Sequence, residues 1–131
     1  MGYKIKIALL GLGEVGQEFA ENFLEIIQEG GKDVEIVAVA HHDKDSAVAL
    51  GFQQSGVKFF ENAGDVVKMG EEVDIIFDLT GSDETRQSLR KGMMESNNRH
   101  TVIAPEMMAR LLWMFFDEDS GSASEGKGGG Y

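Results

Sequence analysis

Three glycines near the start of the chain are spaced as a phosphate cradle requires. Gly11, Gly13 and Gly16 stand in "GLGEVG", the pattern G-x-G-x-x-G, between the apolar run 5–10 and an amphipathic stretch. A strand, a glycine turn and a helix in that order give the pattern its physical meaning. Gly11 permits a tight turn, Gly13 lets a diphosphate approach the backbone without meeting a Cβ, and Gly16 lets the helix pack closely on the strand. Main-chain amides at the helix start, at Glu14 and Val15, would then face phosphate, aided by the helix dipole. The Glu14 carboxylate falls near the same place and is expected to point into solvent. The same glycines could instead serve packing alone.

A second group follows the apolar segment "VEIVAVA": His41, His42 and Asp43. In dinucleotide-binding folds an Asp or Glu at the end of the second strand holds the ribose hydroxyls of NAD. Here His41 stands where that acid is expected. Asp43 or Asp45 could reach back, or the histidines could face the 2′-phosphate of NADP, or both could be ordinary loop residues. No arginine lies near, so NAD is favoured slightly over NADP. Two adjacent histidines without a third convincing ligand make a poor metal site, and no metal is expected.

A third group is "DLTGS", with Asp78, Thr80, Gly81 and Ser82. Ligands of open α/β sheets lie beyond the carboxyl ends of the strands, so this loop should border the second ribose and the nicotinamide. The alternative is a strand terminus followed by a helix cap. His100 should lie at the opposite edge of the sheet and is given no catalytic role.

The elements that must hold these groups alternate along the chain. Val15, Phe19, Phe23 and Ile27 recur every four residues, the spacing of a helix with one buried face. Gly30 and Gly31 end it. Strands are expected at 5–10, 34–40, 57–60, 73–78 and 100–104. Between them come a short helix over Ser46–Leu50 and a small helix from Asn62 or Gly64 that stops near Gly70. A helix capped by Ser82 or Asp83 follows, with Leu89 and Met93 on its buried face. Pro105 suits the first turn of a last helix, "EMMARLLWMFFDE". Parallel strands need right-handed crossovers. The expected fold is therefore a doubly wound, three-layer α/β/α domain, Rossmann-like, with a mostly parallel sheet in the order 3-2-1-4-5. It should occupy residues 1–117, with 118–131 a disordered polar tail.

Composition narrows the function classes. The chain has 131 residues, 42% of them hydrophobic, and a formal net charge of -11. That acidity disfavours nucleic acids and anionic membranes as partners. Without cysteine, disulfides, thiolate catalysis and cysteine-bound zinc are excluded. No apolar run approaches the roughly 18 residues of a membrane span, no signal-peptide pattern opens the chain, and a cytoplasmic protein is expected.

Two resemblances add to this reading. "KIALLGLGEVG" and "VEIVAVA" resemble the nucleotide-binding domain of homoserine dehydrogenases and related NAD(P)-dependent oxidoreductases. "DIIFDLTGSDETRQSLR" and "IAPEMMARLLWMFFDE" are similar to a short Rossmann-type domain found in bacteria, alone or ahead of sensory and kinase modules. The resemblance implies cofactor binding at Gly11, Gly13, Gly16 and the loop 78–82, and brings no catalytic residue. His41 departs from the acidic residue common at its position.

Homoserine dehydrogenases add a substrate domain after the nucleotide domain. Here a helix and a polar tail follow, and no lysine or histidine is a convincing proton donor for hydride transfer. The expected function is a standalone NAD(P)-binding module, sensing or regulatory. The alternative is an NAD(P)-dependent oxidoreductase, or a fragment or subunit of one. The last helix carries Met107, Met108, Leu111, Leu112, Trp113, Met114, Phe115 and Phe116. Apolar residues surround so much of it that a homodimer or a protein partner is expected there, unless the helix is wholly packed in the core.

Overall fold

A computed structural model describes residues 4–121 of the chain. Five strands form one parallel sheet in the order β3-β2-β1-β4-β5. They are β1 (Ile5–Leu10), β2 (Val34–Ala40), β3 (Lys58–Phe60), β4 (Ile75–Asp78) and β5 (Val102–Pro105). Helices α1 (Glu14–Gly30), α2 (Ala47–Gln54), α3 (Asp83–Ser96) and α4 (Glu106–Gly121) and a 3-10 segment (Ala63–Glu72) connect or follow them. The fold is the expected Rossmann-like α/β domain.

β1 lies at the centre because its side chains are apolar on both faces. Ile7 and Leu9 bury into one layer with Phe19 of α1, Phe52 of α2 and Ala109 of α4. Ala8 and Leu10 bury into the other layer with Val66 of the 3-10 segment and Leu89 of α3. Phe19 anchors the first layer, its ring stacked on Phe23 at 5.3 Å and on Trp113 at 6.3 Å between centroids. A strand covered on both faces needs a continuous apolar run, which is why this one stood out in the sequence.

Between β1 and β2 the register slips by one. Ile7 pairs with Ile36, but Ala8 pairs with Ala38, leaving Val37 as an extra residue in β2. Such a bulge restarts the alternation of side chains between the two faces. Ile36 and Val39 therefore bury in the same layer.

Four details depart from the sequence expectations. α2 runs through Gly51 to Gln54, because the buried Phe52 contributes about 1.5–3 kcal/mol against about 1 kcal/mol for a helical glycine. The 3-10 segment kinks at Gly70, at φ 61 and ψ -140, and then continues to Glu72. Pro105 closes β5 instead of opening α4, which an edge strand tolerates. His100 precedes β5, and its Nε2 pairs with the Asp74 carboxylate at the opposite edge of the sheet from the glycine turn.

α4 buries Ala109 and packs Leu112 and Trp113 on the core. It leaves Met107, Met108, Leu111, Met114 and Phe115 exposed, so its described part is not a wholly packed core helix. The polar tail expected from 118 overlaps the end of α4, and residues 122–131 lie outside the described ones. Among the described residues no helix is long and apolar enough to cross a membrane.

Candidate functional site

The turn after β1 is pinned from both sides. The Gly11 amide donates to the Ala40 carbonyl at 2.8 Å, and the Leu79 amide donates to the Leu10 carbonyl at 2.8 Å. Gly11 sits at φ +90, and a Cβ there would come within 3.0 Å of the Leu79 and Thr80 backbone. At Gly16 a Cβ would lie 1.9 Å from the Gly11 carbonyl oxygen. These two glycines are closed in by the fold itself. Gly13 differs, since a Cβ there would meet nothing within 4 Å. It is the N-cap of α1 and supplies no side-chain hydrogen bond, so it offers the first-turn amides no side-chain acceptor. Glu14 and Val15 begin α1; their side chains, including the expected outward course of Glu14, lie outside the described ones.

β2 delivers His41 directly beside that turn. Its amide donates to the Phe60 carbonyl at 3.0 Å, and its Nδ1 accepts from the Leu12 amide at 3.2 Å. An accepting Nδ1 carries no proton, so the ring is neutral with its proton on Nε2. Burial lowers the His41 pKa below 6.5, the neighbouring His42 lowers it further, and Asp43 opposes both. The His42 ring lies 4.5 Å from it. Asp43 turns its carboxylate to the Asp45 amide at 3.1 Å.

This arrangement predicts a pH dependence. The unfolded chain takes up the His41 proton near 6.5, while the folded chain takes it up only at lower pH. The stability from neutral His41 is therefore full above 6.5 and is lost as pH falls from there through the lower folded value. Urea midpoints from about pH 8 to about pH 5 should fall less for His41→Gln than for the wild type. Parallel curves would remove His41 from this role.

The loop after β4 is a chain of hydrogen bonds. Thr80 donates to Asp78 Oδ1 from its hydroxyl at 2.6 Å and from its amide at 3.1 Å. The Ser82 amide donates to Thr80 Oγ1 at 3.2 Å, and Ser82 Oγ accepts from the Thr85 amide at 3.1 Å, capping α3. Asp78 is buried, and Gly81 takes φ +67. The helix-cap reading of Ser82 thus holds.

Gly11, Gly13, His41, His42, Thr80 and Ser82 line one open cleft of about 570 Å³ at the carboxyl ends of the strands. Gly16 lies behind it as a packing residue, while Asp43, Asp78 and Gly81 are not in its wall. Glu61, Asn62 and Thr85 also line it and were missed in the sequence. The signal for the first two was their place just past β3, at the same end of the sheet. Among the described residues no lysine or arginine lines the cleft, and no group of three or more His, Asp or Glu could hold a metal ion.

Solved structures share this arrangement of elements. The chain is similar to homoserine dehydrogenase of S. aureus, with 26% identity over 92% of this chain and 32% of that one, at a TM-score of 0.55. Homoserine dehydrogenases are among the structural neighbours. That of Thiobacillus denitrificans has 26% identity over 92% of this chain and 28% of that one, at a TM-score of 0.50. The chain thus spans about a third of the length of the S. aureus homoserine dehydrogenase. No family model matches it, and no curated protein is significantly similar to it. The resemblance in the first third of the sequence thus extends over nearly the whole fold. A fold carries many functions, so what the cleft does depends on its own residues.

Proposed function

We propose that this chain binds a nicotinamide dinucleotide, NAD(P), with the diphosphate over Gly13 at the head of α1. The open space at Gly13 carries the reading, because it is the one glycine of the turn that packing does not require. The Gly13 amide would face it, with the first turn of α1 behind, while the Leu12 amide stays on His41. Thr80 and Ser82 would border the nicotinamide half from the far side of the cleft. When bound, the cofactor supplies a hydride acceptor or donor.

The output we propose is sensing or regulation. Among the described residues the cleft wall holds no lysine, and the His41 Nδ1 is already engaged by the Leu12 amide. The second reading, an NAD(P)-dependent oxidoreductase or part of one, is favoured by the similarity to homoserine dehydrogenases. Titration of the purified chain with NADH and NADPH, followed by nicotinamide fluorescence, tests the binding. Saturable binding of NADH, tighter than that of NADPH, is the expected result. Turnover of homoserine by the purified chain alone would favour the second reading.

We also propose that a second copy of the chain covers the outer face of α4. Met108, Leu111 and Phe115 are spaced three and four apart and exposed, which suits self-packing of two such helices. Self-association must overcome a net charge of -11 on each copy, so it should strengthen with salt. Light scattering should show a dimer at about 0.5 M salt; monomer at every concentration would refute it.

A further inference from the structure

We propose that Glu61, at the end of β3, is the ribose-reading carboxylate of this cleft and sets its preference for NAD over NADP. The inference rests on the dinucleotide reading above. β3 lies parallel beside β2 with Phe60 opposite Ala40, and the His41 amide donates to the Phe60 carbonyl. Glu61 thus leaves the sheet next to His41, one strand over, and lines the same cleft as Gly13 and His42.

Two other acids at this end of the sheet, Asp78 and Asp43, are engaged. Asp78 accepts twice from Thr80, and Asp43 accepts from the Asp45 amide. His41, where the acid of β2 would stand, is buried and holds the Leu12 amide. Glu61 is exposed, and among the described residues it is the one carboxylate in the cleft wall. Its backbone is fixed on both sides, by Phe60 in the sheet and by Asn62, whose Oδ1 caps the 3-10 segment through the Gly64 amide at 3.0 Å. Neighbouring strands lie about 4.8 Å apart, a distance that the longer side chain of Glu helps to span. A carboxylate accepts from both hydroxyls of a vicinal diol. The same carboxylate repels a 2′-phosphate, and no cation in the described wall offsets that repulsion.

The test titrates NADH and NADPH into the purified full chain, as wild type, Glu61→Gln and Glu61→Arg, with exposed Glu95→Gln as control. Thermal unfolding checks that each variant is folded. Glu61→Gln should weaken NADH about tenfold without weakening NADPH, and Glu61→Arg should reverse the preference. Glu95→Gln should change neither. Wild-type binding of NADH with an unchanged NADH-to-NADPH ratio in both Glu61 variants overturns this inference and leaves the dinucleotide reading standing. Equal weakening of both cofactors also overturns it, because that marks a structural role. Wild type that binds neither cofactor overturns both readings.

Discussion

Gly16→Ala lowers the unfolding temperature by about 5–10 °C. The sign is the opposite of what helix propensity gives, since alanine is better than glycine in a helix by at most about 1 kcal/mol. Here the new methyl would stand 1.9 Å from the Gly11 carbonyl oxygen. That oxygen is main chain and cannot swing aside as a side chain would. The Gly11 amide is bonded to β2, so relieving the clash means lifting α1 off the sheet. Overpacking of that kind costs about 1–3 kcal/mol and, with a backbone neighbour, belongs at the upper end. Circular dichroism melts check it, and an unchanged or raised midpoint would mean that helix and strand are not in such close contact.

Gly13→Asp separates stability from binding. Nothing within 4 Å obstructs the new side chain, and at φ -71 the backbone suits any residue. Aspartate is among the preferred N-cap residues, so the fold should gain a few tenths of a kcal/mol. Binding should move the other way. The carboxylate would occupy the amides that a diphosphate needs, and two like charges about 4 Å apart repel by about 4 kcal/mol near a protein surface. Affinity for NADH should fall at least about 100-fold. Unchanged affinity in a folded variant would place the dinucleotide elsewhere. The pair of substitutions thus divides the turn into a glycine that the fold needs and one that a ligand would need.

The central strands were legible because they announce themselves by burial. β1 and β2 are apolar at nearly every position, as a strand covered on two faces must be. The cap of α3 was also legible at Ser82, while Ser46 and Asn62, read as helix starts, prove to be caps that accept from the first turn. Glu61 was not legible, although the end of β3 was read at 60 as observed, because nothing local shows that the residue past an edge strand reaches the cleft. Nor was the engagement of Asp78 with Thr80, or of His41 with the Leu12 amide. The first is a local turn of one loop; the second depends on how two distant loops meet, which local spacing does not encode. The roles of the glycines in the turn were read together as one motif, whereas the space around each one differs.

The supernumerary Val37 has a consequence at the far end of its strand. Side chains change face at every step, so an extra residue kept in the ladder would exchange the partners of all that follow, whereas the bulge takes it up. Ala40 faces the α3 layer, which turns His41 toward α1 and Leu12. Were Val37 instead kept in the ladder without a bulge, Leu10 would stand opposite Val39, and Ala40, not His41, would fall beside the Leu12 amide. That an imidazole and not a methyl group braces the turn is thus decided several residues away, by one residue set outside the pairing.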